Sequence, residues 1–303
     1  MYQKAYLILS IFILASHCLN FPSAKSSQAE FPVSKYIYKI AHNQVFLKVY
    51  VQSLGGSQVQ ERWALLDSGS TVNLMLDNNL EKEIKQIAWL PNSVDFSKME
   101  FHNLGSALPK DYDLVLGAPF FLAHCLIFEN AVPISIEQNH KKKCFTSLRH
   151  ESSKENFPSQ RITIDLISKE GLVHATVQIG TKQELMAIDT GSGLSSLPYS
   201  KFQEELVSLN ESIYVMDIYG KKNSRKLYSL ARPIHLKELA FDPAKILDSD
   251  EVWDRKEGYS STLGVDFLKT FRVYIDFGSK ILGIDSNESK QGQDHSRNEW
   301  GSR

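Results

Sequence analysis

Two tripeptides in this chain carry residues of the right type and setting for acid–base chemistry, Asp67-Ser68-Gly69 and Asp189-Thr190-Gly191. One such tripeptide is an ordinary turn, because Asp caps its own backbone and Gly accepts positive φ. Ordinary residue frequencies put one copy in roughly one chain of this size in ten. Here there are two, each after an apolar run, Trp63-Ala-Leu-Leu66 and Leu185-Met-Ala-Ile188, and each with Leu-Gly-x-x-Phe downstream. An Asp at the end of a buried strand, on a tight glycine turn, is held with its carboxylate outward. Two such turns face to face place two carboxylates where both cannot ionise comfortably, so they share a proton. The ionised member can take a proton from a water between them while the protonated member polarises a carbonyl. Asp67 and Asp189 are therefore the expected catalytic pair. Ser68 and Thr190 are expected to brace the turns across the axis, and Gly69 and Gly191 to be required by the turn backbone.

The elements that would position these acids come in two matching sets. The first runs through Tyr36–Ile40, Val45–Val51, a turn at Gly55-Gly56 and the strand into Asp67; the second through Ile162–Ile167, Val173–Ile179, a turn at Gly180 and the strand into Asp189. Apolar or alternating runs punctuated by glycine turns predict all-β structure. Downstream, Leu114-Val-Leu-Gly117-Ala-Pro-Phe-Phe121 and Ser261-Thr-Leu-Gly264-Val-Asp-Phe-Leu268 superpose at an offset of 147 (264 − 117), against 122 (189 − 67) for the acidic turns. The second half thus holds 25 extra residues (147 − 122) between its two blocks, as in a duplication with one loop extended. The expected organisation is a signal peptide over 1–24, lobes over 35–137 and 160–285, a polar linker over 138–159, and a disordered tail over 286–303.

On these motifs the chain resembles the pepsin/retropepsin-type aspartic proteases, with Asp67-Ser68-Gly69 and Asp189-Thr190-Gly191 matching the two catalytic tripeptides. Leu116-Gly117 and Leu263-Gly264 match the hydrophobic-Gly signature that follows in each lobe. The resemblance covers about residues 35–137 and 160–285. It implies two pseudo-symmetric β-barrel lobes with the cleft between them, one Asp from each, and lobes nearer the retropepsin size. It also implies a monomeric, intramolecular pseudo-dimer that hydrolyses peptides or proteins with an activated water and uses neither metal nor cofactor. A non-catalytic peptide-binding or scaffold protein of the same fold is the alternative. An all-β ligand-binding protein with chance turns is a third reading, and it predicts no pairing of Asp67 with Asp189.

Proteases of this family cover the cleft with a β-hairpin flap. In the second half Tyr214–Arg225 and Lys226–Leu230 fit a hairpin with a polar tip, and Tyr219 and Gly220 are its flap candidates. The first half has no counterpart: an apparently helical Asn79–Ile87 and the stretch Val94–Phe101 fill its span. One flap, supplied by the second half, reverses the pepsin arrangement. Asp113 and Asp266, beside the Leu-Gly signatures, are read as structural hydrogen-bonding acids.

The remaining features bound the setting. Lys4, the apolar run Ala5–Ala15 and the small residues Pro22-Ser-Ala24 read as a secretory signal, with an uncleaved anchor as the other option. The run is shorter than the about 20 residues of a membrane span. Export places the chain, periplasmic or secreted, where disulfides persist; with Cys18 removed, Cys125 and Cys144 either form a bridge or stay as buried thiols. No Gly-x-Ser-x-Gly, His-Glu-x-x-His or Gly-x-x-x-x-Gly-Lys motif occurs, and the nine His residues are dispersed. With 34 Lys+Arg against 35 Asp+Glu, the chain lacks the basic surplus of a nucleic-acid-binding protein.

Overall fold

The computed structural model describes residues 38–41, 43–52, 59–76, 88–90, 94–95, 99–103, 112–138, 161–216, 222–250 and 261–285, all within one contact-connected unit. The expected signal peptide, most of the linker, the polar tail, the 79–87 segment and the flap candidates Tyr219 and Gly220 lie outside these residues.

Strands dominate, and alternation explains most of them. In Arg161–Lys169, Ile162, Ile164 and Leu166 are buried while Thr163, Asp165 and Ile167 face out, the period-two pattern of a strand with one face on a core. Strand Gln44–Gln52 buries both faces: Val45, Leu47, Val49 and Val51 enter the main core, and Phe46 joins a second cluster with Leu65, Leu74, Leu76 and Val115. Such a two-sided strand reads as a nearly continuous apolar run rather than an alternating one.

The strands form two sheets. The first, of eight strands, runs in the order Val94–Asp95, Ala88–Leu90, Gln44–Gln52, Val59–Leu66, Leu114–Leu116, Asn73–Met75 and Phe101–Asn103, with Tyr38–Ala41 paired on Gln44–Gln52. The second, of fourteen, includes Leu172–Ile179, Lys182–Ile188, Thr262–Leu263, Ser196–Leu197, Ile246–Asp248, Lys222–Leu230 and Leu206–Met216 in that order. All-β structure is therefore present. Closed barrels are not: among the described residues each sheet runs from one edge strand to another. The expected boundary at residue 138 is also crossed by hydrogen bonds. The hairpin of His124–Glu129 and Val132–Gln138, from the first half, belongs to the second sheet. Its strand His124–Glu129 pairs antiparallel with Arg272–Asp276, which pairs with Ile281–Asp285 and so with Arg161–Lys169.

The register of that pairing carries information. Tyr274 faces Ile127, Val273 faces Phe128 and Ile275 faces Leu126. Ile127 and Tyr274 are 147 apart, the offset between Gly117 and Gly264. Shifting either flanking pair by that offset and exchanging the strands returns the other, so the register is symmetric about Ile127·Tyr274.

In each half a strand from far along the chain is inserted between the two arms of the acidic turn. Leu114–Leu116 runs parallel to Val59–Leu66 and antiparallel to Asn73–Met75. Thr262–Leu263 does the same between Lys182–Ile188 and Ser196–Leu197. A glycine ends each inserted strand, with φ −91° and ψ −165° at Gly117 and φ −90° and ψ −167° at Gly264. Neither has a positive φ; glycine is required by space. A Cβ on Gly117 would overlap the Val72 carbonyl, and one on Gly264 would fall 2.5 Å from the Leu194 carbonyl carbon. Six-residue helices follow, Ala118–Ala123 and Val265–Thr270, whose Phe120 and Phe267 are fully buried. Their first residues donate to the turns above, Ala118 N–H to Ser70 O at 2.7 Å and Val265 N–H to Ser192 O at 2.8 Å.

A long antiparallel hairpin of Leu206–Met216 and Lys222–Leu230 is present in the second half. Tyr214 stands out on it, 79% exposed. Over the same interval the described residues of the first half hold the short antiparallel pair Ala88–Leu90 and Val94–Asp95.

Candidate active site

Each acid leaves its strand under the same control. The N–H of Asp67 donates to Leu116 O at 3.0 Å and that of Asp189 to Leu263 O at 2.9 Å. The turns then close by Ser70 N–H to Asp67 O at 3.0 Å and Ser192 N–H to Asp189 O at 3.3 Å. The glycine two residues on donates to the carboxylate: Gly69 N–H to Asp67 Oδ1 at 3.1 Å, Gly191 N–H to Asp189 Oδ1 at 2.9 Å. Ser70 and Ser192 each donate a hydroxyl to the carbonyl two residues ahead at 2.7 Å.

The turns meet, and the hydroxyls that follow the acids lock them reciprocally. Ser68 N–H donates to Thr190 Oγ1 at 3.0 Å, and that hydroxyl donates to Leu66 O at 2.9 Å. Thr190 N–H donates to Ser68 Oγ at 3.0 Å, and that hydroxyl donates to Ile188 O at 2.7 Å. Both residues are 0% exposed, so these four bonds are shielded from competition by water.

This lock sets the acids side by side, each carboxyl against the glycine of the opposite turn. Each glycine faces the opposite acid. A Cβ on Gly69 would lie 2.5 Å from the Asp189 carboxyl carbon, and one on Gly191 would overlap the Asp67 carboxylate. The glycines are thus required by the approach of the partner carboxyl, a stronger reason than turn propensity.

Burial pushes the Asp67 carboxyl well above the ordinary carboxylate range, and the neighbouring Asp189 charge adds to the shift. Asp189, 8% exposed, is raised by burial too, but the N–H groups of Gly191, Ser192 and Gly69 and the Asp67 carboxyl all stabilise its anion. The two carboxyls therefore titrate as a pair sharing a proton, with Asp67 the more strongly raised and the Asp189 anion the better supported.

All six residues expected from sequence to form and support the dyad are therefore brought together. Asp113 and Asp266 are not part of it. Asp113 accepts from Trp63 N–H at 3.3 Å, while Asp266 accepts from Ser195 N–H at 2.9 Å and Ser195 Oγ at 2.8 Å. Burial raises the Asp266 carboxyl against those hydrogen bonds.

Two supporting residues were missed in the sequence. Asn73 accepts from Gly117 N–H at 2.8 Å, and Ser195 Oγ accepts from Gly264 N–H at 3.0 Å. Each stands six residues after its Asp, so the offset of 122 could have flagged them; the change of type from Asn to Ser concealed the match. Asn73 spans to Glu100 O at 3.2 Å by itself, whereas the shorter Ser195 needs Asp266 to anchor it. A third, Gln44, donates its carboxamide to Gly191 O at 2.6 Å; no sequence pattern pointed to it.

Cys125 is disulfide-bonded, and its partner lies outside the described residues. Among the described residues no three His, Cys, Asp or Glu side chains are grouped to hold a metal ion, and no helix is long and apolar enough to cross a membrane. Comparison with protein families and with curated proteins gives no match: no family model fits the chain, and no curated protein is similar to it.

Proposed function

We propose that the chain is an exported aspartic endopeptidase that hydrolyses peptide bonds with a water activated between Asp67 and Asp189. The observation that carries this reading is the reciprocal four-bond lock, which holds two buried carboxyls against each other at the ends of two matched turns. Charge repulsion makes that arrangement costly. A chain built only for stability gains nothing from it, whereas hydrolysis needs an acid and a base within reach of one carbonyl.

In this mechanism the Asp189 carboxylate takes a proton from the water as its oxygen attacks the scissile carbonyl carbon. Asp67 gives its proton to the carbonyl oxygen, leaving a gem-diol with no covalent link to the protein. Asp189 then passes the proton it gained to the leaving nitrogen, the C–N bond breaks, and Asp67 recovers a proton from the diol hydroxyl. Protons and charge return to their starting places, so neither metal nor cofactor is called for.

The same reading assigns the halves to two pseudo-symmetric retropepsin/pepsin-like lobes. The symmetric register about Ile127·Tyr274, the equal backbone angles at Gly117 and Gly264, and the paired inserted strands support it. The hairpin Leu206–Met216 and Lys222–Leu230 occupies the chain interval of a flap and would cover the cleft from the second lobe. The protein would act as a monomer, in the periplasm or outside the cell, on peptide or protein substrates and not on nucleic acid.

Incubating the chain without residues 1–24 with a mixed peptide library between pH 3 and 7 tests the proposal. Mass spectrometry should find internal cuts that a statine-type transition-state mimic suppresses and that Asp67→Asn and Asp189→Asn abolish. Peptide capture without cutting would instead make the chain a binding protein; full activity in either variant would sink the dyad.

A further inference from the structure

Around the two acidic turns, most backbone carbonyls are committed to the fold. Those of Asp67, Ser70, Asp189 and Ser192 take N–H groups of the backbone, and those of Leu66 and Ile188 take the two locking hydroxyls. Giving up any of them would break a turn, an inserted strand or the lock. The Gly191 carbonyl differs. It belongs to the residue that faces the Asp67 carboxylate, yet its partner is a side chain from the other half, the Gln44 carboxamide at 2.6 Å.

Gln44 opens strand Gln44–Gln52, just after the turn residue Asn43, whose φ is 58°. That turn is held from the second half as well, by Lys269 Nζ donating to Asn43 Oδ1 at 2.7 Å. The corresponding hairpin turn of the second half carries Gly171, with φ 79°, where an added Cβ would meet the Thr71 methyl group at 3.4 Å.

A primary carboxamide presents the same N–H donor as a peptide bond. We infer that Gln44 is a stand-in for the backbone amide of a bound substrate, occupying the Gly191 carbonyl until an extended peptide takes that carbonyl for itself. The inference rests on the peptidase reading above. It assigns Gln44 as a residue that sets substrate affinity, since each productive binding event must exchange its hydrogen bond for one from the substrate. A side chain can rotate away without disturbing the turn, which is why this carbonyl, unlike its neighbours, can change partners.

The exchange makes a signed prediction. Removing the carboxamide leaves the Gly191 carbonyl open, so the substrate N–H no longer has to displace an internal donor. One neutral hydrogen bond corresponds to roughly fivefold in an equilibrium constant. Gln44→Ala should therefore lower both KM and the Kd of an uncleavable hydroxyethylene peptide about fivefold, with the effect on KM rather than kcat and the limbs of the pH profile in place. Gln44→Asn, one methylene too short to span to Gly191, should behave as Gln44→Ala does. A rise in KM, a loss of kcat or a displaced pH profile would mean that Gln44 braces the Asp189 turn, and would overturn the inference. Unchanged binding would overturn it too. If the unaltered chain neither cuts nor binds the peptide, it is the peptidase reading that fails, and the two failures are told apart by that control.

Discussion

Thr190→Val is the sharpest single probe of the lock. Valine keeps the shape of threonine and removes one oxygen, so the core around it need not repack. Two hydrogen bonds disappear, from Ser68 N–H at 3.0 Å and to Leu66 O at 2.9 Å, and both orphaned backbone groups stay in a site from which water is excluded. An unsatisfied buried group costs about 1–3 kcal/mol, so the variant should lose roughly 2–6 kcal/mol of unfolding free energy. Against a total of about 5–15 kcal/mol for a natural protein, that is a large fraction. Thr190→Ser keeps the oxygen and should lose only about 1 kcal/mol, the share of one buried methyl group. Ser68→Ala breaks the other two bonds, which share no donor–acceptor pair with the first two. Because the two residues touch within one network, the costs should not simply add, and the double variant reads the coupling between them. Denaturant unfolding followed by circular dichroism measures all four proteins. A Thr190→Val midpoint equal to that of Thr190→Ser would refute the argument that the hydroxyls hold the turns together.

Other outcomes follow from the same geometry. Gly117→Ala pushes a methyl group into the Val72 carbonyl; with backbone on both sides it should cost at least about 3 kcal/mol, measurable as loss of soluble protein or a lowered Tm. Because Asp67 is raised in the folded state, its contribution to stability is full below the ordinary carboxyl range and is lost as pH rises through the raised value. Unfolding free energy should thus decline as pH climbs out of the acid range, and Asp67→Asn should flatten the decline, leaving the parts due to Asp189 and Asp266, which are raised too. Non-reducing peptide mapping of the chain without residues 1–24 should join Cys125 to Cys144, the one other cysteine then left. Opening that loop by reduction should cost about 3 kcal/mol.

The meeting of the two acidic turns was legible because its parts are local in sequence and duplicated: a tripeptide, its apolar lead-in and the Leu-Gly signature are each contiguous. The brace by Ser68 and Thr190 was legible for the same reason. The sheet organisation was less so. Nothing in His124–Glu129 announces that it will pair with Arg272–Asp276, because strand pairing between distant segments depends on where both halves end up. Its consequence is that a hairpin counted with the first half completes the sheet of the second. Asn73 and Ser195 escaped notice because the same task, accepting from a glycine N–H, is met by different side chains once Asp266 supplies the missing reach. Gln44 lacks a motif altogether; only the meeting of the halves gives it a partner.

The proposed hydrolysis depends on Asp67 and Asp189 behaving as one acid–base unit, and carbon-13 NMR titration of their carboxyl groups observes that directly. The two should titrate as a coupled pair, with one proton retained well above the ordinary carboxylate range, and Asp189→Asn should shift Asp67 back down. Two independent titrations in the ordinary range, unaffected by replacing the partner, would contradict it.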